Sequence, residues 1–379
     1  MKNILFIFGT RPEAIKLAPL IKEFTKSGSS FRVKVCVTSQ HREMLNQTLG
    51  FFKIKPDYNL DLMRPNQTLF EITAASLIKF ESVFDNANPD LIFVQGDTST
   101  AFTGALAGFY KKIKVAHVEA GLRSNNKYSP FPEEINRTLV GRLADYHFAP
   151  TETARRNLAR EGITKNVYVV GNTVVDALFF GLKVIKTEGG KDYYRFFRKV
   201  DFSKKIIMVT GHRRENFGRP FENVCAALKD IASACSDVEI VYPVHLNPNV
   251  RGTVQKLLSG INRIHLLDPL DYPHLIYLMS KSYFVLTDSG GIQEEAPSLG
   301  KPVLIMREVT ERTEGICAGT AILVGTSRRK IVAESLRLLN EKKAYRKMSR
   351  AVNPYGDGDT SRKIAGIIRK ILRYKNQKN

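Results

Sequence analysis

The sequence has no apolar run near the roughly 20 residues that cross a bilayer, and it ends without a lipidation box. It therefore reads as a soluble protein with no membrane insertion. The apolar start Ile4-Leu5-Phe6-Ile7-Phe8 is too short for a signal-peptide core and runs straight into Gly9-Thr10-Arg11-Pro12-Glu13, so it is expected to be a first buried strand. Cysteine is scarce. Cys36, Cys225, Cys235 and Cys317 show neither a CxxC spacing nor a nearby histidine array, which argues against a zinc site and fits reduced thiols in the cytoplasm. No internal repeat or low-complexity tract is present.

Acidic residues are under-represented, leaving a formal charge of +21. Such an excess can attract polyanions through counterion release, but its distribution decides the reading. Seven of the 21 excess charges lie in residues 362 to 379, a basic terminal helix with no acid, and the rest are dispersed. Helix-turn-helix, zinc-finger and aromatic RNA-binding signatures are absent, so no nucleic-acid partner is expected. A basic surface remains favourable for anionic nucleotides.

The 379 residues, 43% of them hydrophobic, suit two domains better than one core. Short apolar runs at Ile4–Phe8, Val33–Val37, Leu91–Val94 and Val115–Val118 each precede an amphipathic segment, the pattern of repeated βα winding. The pattern restarts at Ile206–Val209 and continues through Val238–Tyr242, Ile264–Leu267, Tyr283–Leu286, Val303–Met306 and Ala321–Val324. The expected fold is α/β, with two Rossmann-like doubly wound lobes. The first spans 1–171 and is rejoined by a terminal helix, 360–379; the second spans 172–359. Ligands of open parallel sheets bind beyond the carboxyl ends of strands, and the informative motifs follow strands.

Gly9-Thr10-Arg11-Pro12-Glu13-Ala14-Ile15-Lys16 is a glycine turn opening a helix, with Arg11 and Lys16 near its entry, suited to a phosphate or another oxyanion. It is neither GxGxxG nor GxxxxGK[ST], so it supports neither a dinucleotide fingerprint nor a P-loop. Asp97 sits at the strand-to-helix turn of the Gln95–Thr100 segment, where helix capping is the favoured reading of that residue alone. Glu119 follows the next strand in His117–Arg123, and Glu133 opens a helix after Pro130-Phe131-Pro132. Three carboxylates converging on one rim suit proton transfer at carbon, because crowded like charges separate acid from base. No histidine–carboxylate spacing supports a transition metal. In the second half, Thr210-Gly211-His212-Arg213-Arg214-Glu215-Asn216 supplies a histidine and two arginines at a glycine turn. Thr287-Asp288-Ser289-Gly290-Gly291 opens a helix that carries Glu295, and Arg307, Glu311 and Arg312 read as a further anion clamp.

Taken together, GTRPEAIKLAPL, QHREML, VQGDT, HVEAGLR, PFPEEINR, GHRREN, YPVH, TDSGGIQEEAPSLGKPV, TER and NPYGDG resemble, in order, the blocks of the non-hydrolysing UDP-N-acetylglucosamine 2-epimerases, over roughly residues 3 to 370. The resemblance implies a glycosyltransferase-B-like architecture, a homodimer and an interlobe active-site cleft, and because a reaction intermediate must not escape, the lobes are expected to close on substrate. It implies that Arg11, His212, Ser289, Gly290, Gly291, Glu295 and Arg312 hold uridine diphosphate, while Lys16, Asp97, Glu119 and Glu133 surround the sugar. The implied reaction expels UDP, passes through 2-acetamidoglucal and needs no cofactor. Glu119 and Glu133 are expected as the acid/base pair, with Asp97 orienting or sharing the proton and His212 stabilising the leaving phosphate. A second, substrate-activation site is implied at Gln40, Gln67, Glu134, Arg213 and His245, although Glu43 and Asn66 stand where activated relatives tend to carry Gln and Arg. Leu275 and the Arg307–Thr313 segment also depart from the family pattern. Two alternatives stay open: a hydrolysing 2-epimerase that releases free N-acetylmannosamine, and a 2-epimerase of a modified UDP-sugar, either a uronic acid or a deoxy sugar.

Overall fold

A computed structural model describes residues 1–26, 30–39, 42–62, 64 and 67–375. The chain divides into two compact units: Met1–Ala177 with Tyr355–Asn379, and Leu178–Pro354. The first division falls inside the Thr173–Glu188 helix, a few residues beyond Gly171-Asn172.

The first unit is built on seven parallel strands: β1 (Lys2–Phe8), β2 (Phe31–Val37), β3 (Tyr58–Asn59), β4 (Leu91–Gln95), β5 (Lys114–Val118), β6 (Tyr146–Ala149) and β7 (Val167–Val169). Their order is β3-β2-β1-β4-β5-β6-β7, so the winding reverses between β1 and β4. Strand β1 is apolar on both faces because both are covered. Ile4, Phe6 and Phe8 enter one core cluster, while Leu5 and Ile7 enter the other. The Thr360–Lys375 helix belongs to this unit, and its Ile364, Ala365, Ile368 and Leu372 pack in the cluster of Ile4, Phe6 and Phe8. Burial stabilises each of its larger apolar side chains by about 1.5–3 kcal/mol.

The second unit repeats the design with β8 (Lys205–Thr210), β9 (Val238–Pro243), β10 (Ile264–Leu267), β11 (Phe284–Thr287), β12 (Val303–Ile305) and β13 (Ala321–Leu323). All pairs are parallel, in the order β10-β9-β8-β11-β12-β13, and the reversal lies between β8 and β11. Both units are thus doubly wound, with a crevice at the reversal point of each sheet. No helix among the described residues is long and apolar enough to cross a membrane.

Candidate active site

In the first unit, the reversal places the ends of β1 and β4 side by side, with β5 next in line. After β1 the chain turns at Gly9, where an added Cβ would lie 2.1 Å from Thr38 Oγ1 and 2.6 Å from Thr100 Oγ1. Only glycine fits there. Thr10 caps the Arg11–Phe24 helix, and Glu13 closes a capping box by accepting from the Thr10 amide at 2.8 Å. Glu13 also accepts from the Gly9 amide (3.1 Å) and from Thr98 Oγ1 (2.7 Å), tying the β1 turn to the β4 turn. Burial pushes the Glu13 carboxyl above its ordinary range, and bonds from Thr98, Thr10 and Gly9 pull it back. Arg11 opens this helix, and Lys16 lies in its second turn.

Glu119 follows β5 with φ +65°, in the left-handed region that non-glycine residues rarely occupy. Its buried carboxylate accepts from Lys16 Nζ at 2.6 and 2.8 Å, from Gln95 Nε2, and from Asn172 Nδ2 at 2.9 Å. A Cβ at Gly96 would stand 3.4 Å from Glu119 Oε2, so Glu119 lies against the peptide that precedes Asp97. That peptide is held from behind. His117 Nε2–H donates to the Gly96 carbonyl at 2.7 Å, and burial drives the His117 imidazole down to about 3, fixing it neutral.

Asp97 does not cap the following helix. Thr98 does, accepting from the Ala101 amide at 3.0 Å, and the Asp97 carboxylate instead pairs with buried Arg137. Asn136 donates to the Asp97 carbonyl at 3.0 Å. Glu133 is half-buried and opens the Glu133–Leu143 helix that carries both partners, so that helix is docked onto the Asp97 turn. The rim therefore differs from a set of bare like charges: Lys16 lies on Glu119 and Arg137 on Asp97. Among the described residues, no group of three or more His, Cys, Asp or Glu is placed to hold a metal ion.

In the second unit, the ends of β8 and β11 meet through Thr210 Oγ1 and Thr287 Oγ1, 2.6 Å apart. Asp288, fully buried, accepts from the amides of His212 and Arg213, both at 2.8 Å. Its other oxygen stands 3.3 Å from His212 Nδ1. Burial lowers the His212 imidazole below its ordinary range; Asp288 opposes this, while His245 and Arg213 reinforce it. His245 stacks on His212 with ring centroids 5.3 Å apart. Ser289 precedes the Gly290–Glu295 helix, and a Cβ at Gly290 would come within 3.3 Å of the Arg312 guanidinium carbon. Arg312 donates to Glu294 (2.9 Å) and Glu311 (2.8 Å), while Arg307 donates to Glu215 (2.7 Å) and Glu311 (2.8 Å). Burial would raise the Glu311 carboxyl, but Arg312 and Arg307 hold it at about 2. Glu295 is buried and accepts from Tyr272 Oη at 3.2 Å.

The description of the matching family model is UDP-N-acetylglucosamine 2-epimerase, and the match covers residues 23–369. The chain belongs to the UDP-N-acetylglucosamine 2-epimerase family. It is 54% identical over 370 residues to the UDP-N-acetylglucosamine 2-epimerase of Yersinia pestis, an alignment covering 97% of this chain and 98% of that one. A crystal structure of UDP-GlcNAc 2-epimerase from Neisseria meningitidis bound to UDP-GlcNAc superposes with a TM-score of 0.90 at 47% identity, covering 97% of this chain and 100% of that one. Sucrose-phosphate synthase of Thermosynechococcus elongatus, at 14% identity and a TM-score of 0.66 with 99% and 100% coverage, shares the fold alone.

Of the residues expected from the sequence to form a second, substrate-activation site, Gln40 lies outside the described residues. Gln67 Oε1 accepts from the Arg64 amide at 2.8 Å. Glu134 is buried and accepts from the amides of Ser124 and Asn125, all at 3.0 Å, and from Arg137 at 3.3 Å. Arg213 Nε donates to the Asp288 carbonyl at 3.3 Å, and His245 Nδ1 accepts from the Asn247 amide at 3.1 Å. The sequence reading missed Gln95, Asn172, Arg137 and Glu13, which grip the site carboxylates or the turns around them. Only Glu13 carried a local signal, the Thr10-x-x-Glu13 capping box.

Proposed function

We propose that this chain epimerises UDP-N-acetylglucosamine at C2 without hydrolysis, giving UDP-N-acetylmannosamine. The observation that carries the reading is Glu119, a buried carboxylate on a left-handed backbone, gripped by Lys16 and lying against the peptide of Asp97. Strain at such a position points to a function. A weakly acidic C–H needs a fixed base and strong stabilisation of the leaving group.

In this reading Ser289, Gly290, Gly291, Glu295, Arg312 and Arg11 hold UDP, and Lys16, Asp97, Glu119 and Glu133 surround the sugar. A carboxylate takes the C2 proton, and the electrons of the C2–H bond form the C1–C2 double bond. The C1–O bond breaks with its electron pair leaving on UDP, so 2-acetamidoglucal forms with no net redox change. UDP re-adds at C1 as a proton reaches C2 from the opposite face. His212 meets the leaving diphosphate as an imidazole that burial keeps neutral, and an arriving anion favours its protonation. Four free cysteines support residence in a reducing compartment, the cytoplasm.

Proton NMR of the purified protein with UDP-N-acetylglucosamine in deuterium oxide tests the reading. The expected result is loss of the C2 proton signal and growth of UDP-N-acetylmannosamine without free sugar. Free N-acetylmannosamine with UDP would make the protein a hydrolase, and absence of exchange would point to another sugar nucleotide.

A further inference from the structure

Four hydrogen bonds converge on the Glu119 carboxylate, and their geometry is not uniform. Lys16 Nζ bridges both oxygens, at 2.6 Å from Oε1 and 2.8 Å from Oε2, so the ammonium occupies the edge between them. The two amides bond to separate oxygens: Asn172 Nδ2 to Oε1 at 2.9 Å and Gln95 Nε2 to Oε2. An ionised carboxylate is acceptor-only, and these donors engage both of its oxygens. A proton on either oxygen would face a donor.

The amides themselves are anchored. Gln95 is the last residue of β4 and is buried. Asn172 Oδ1 accepts from the Val174 amide at 3.2 Å, and its backbone N–H donates to the Tyr355 carbonyl at 2.6 Å. The NPYGDG segment thus reaches Glu119 through one side chain, since Gly356 packs against Gly171 and the amides of Thr360 and Ser361 bond to Asp176.

We propose that Gln95 and Asn172 are positioning residues that keep Glu119 ionised and edge-on, with Lys16 as the exchangeable occupant of the edge that receives the C2 proton. The proposal rests on the epimerase reading for its proton donor. When the sugar nucleotide draws the ammonium toward its own oxygens, the edge opens while both amides remain in place. Glu119 then accepts the proton as a carboxylate whose orientation does not depend on Lys16. Other titratable and charged groups near it include Asp97 with its partner Arg137, and His117 behind the Gly96 peptide, which also feels Arg123 and His147. None of these is altered by changing an amide.

The test uses the full-length protein and two substitutions. Gln95→Met removes one donor without adding charge. Asn172→Asp keeps an oxygen for the Val174 amide but replaces the donor with a like charge. A hydrogen bond to a charged group is worth on the order of one pH unit of protonation. The acid limb of C2 exchange is therefore expected to move up by about one unit in Gln95→Met, and further in Asn172→Asp. Both variants should recover toward the parent rate at alkaline pH. In parallel, 13C NMR of glutamate carboxyls in the ligand-free protein, with Glu119 assigned by its loss in Glu119→Gln, should show the same upward displacement. A rate lowered equally at every pH, with the Glu119 titration unmoved, would reduce both amides to structural roles and overturn the proposal. The ligand-free titration stands by itself: if the unsubstituted protein exchanges no C2 proton, the epimerase reading fails whether or not the Glu119 displacement is seen.

Discussion

The two units wind their sheets alike, yet Glu119 and Asp288, one buried carboxylate from each, are held differently. At the first reversal point Glu119 accepts from the side chains of Lys16, Gln95 and Asn172, and its peptide neighbour Asp97 takes Arg137. At the second, Asp288 accepts from two backbone amides and fixes a loop, while Glu294, Glu311 and Glu215 hold two arginines in place. Side-chain donors can be withdrawn when a ligand arrives; a loop gripped by its own amides cannot easily let go. The first arrangement suits a group that changes its protonation state, and the second suits a rigid cradle for a fixed anion.

The sharpest way to break this contrast is Glu119→Gln, which keeps the volume and removes the proton acceptor. C2 exchange is expected to fall about 10³-fold, within the range of general base catalysis, while the affinity for UDP measured by calorimetry stays nearly unchanged. Comparable losses in both would show that the first unit also carries binding. Arg312→Ala should do the reverse. It removes charge-assisted bonds worth about 1.5–3 kcal/mol, so UDP is expected to bind about 10- to 100-fold more weakly, with the acid limb of the pH–rate profile in place. A displaced acid limb would mean that the two sites are electrostatically coupled.

A further contrast concerns stability rather than the reaction. His117 and His147 are register partners on β5 and β6, and burial drives them from the ordinary 6.5 down to about 3 and about 4. The unfolded chain therefore takes up protons below pH 6.5 that the folded unit refuses. Their stabilising contribution is whole above that pH and is lost as pH falls toward 4 and 3, at about 1.4 kcal/mol per pH unit for each histidine. The strands β8, β9, β11, β12 and β13 of the second unit contain no histidine. Hydrogen exchange at pH 5 should show the first sheet opening before the second, and His117→Asn should flatten the slope.

Much of this frame was legible in the chain because buried parallel strands are continuous apolar runs, and the residues just beyond them fall at the crevice by topology alone. Strands β3 and β6 escaped that logic: Tyr58–Asn59 is two residues long, and Tyr146–Ala149 has no β-branched residue. Asp97 was read as a cap because aspartate suits that position, but Thr98, one residue later, is in register with the helix start. The grip on the site was not legible. Asn172 and Glu119 are 53 residues apart in sequence, and Arg137 and Asp97 are 40 apart, separations that local spacing does not encode.

The helix Thr360–Lys375 closes the core that begins with Ile4, although all of Leu178–Pro354 lies between them in the chain. Synthesis runs from the amino end, so the unit begun first is completed last. Until residues 355–375 leave the ribosome, the cluster of Ile4, Phe6 and Phe8 lacks its cover, and Asn172 lacks the carbonyl of Tyr355. The first unit therefore gains its last core helix only after the whole of Leu178–Pro354 has been made, when the second unit has had time to fold.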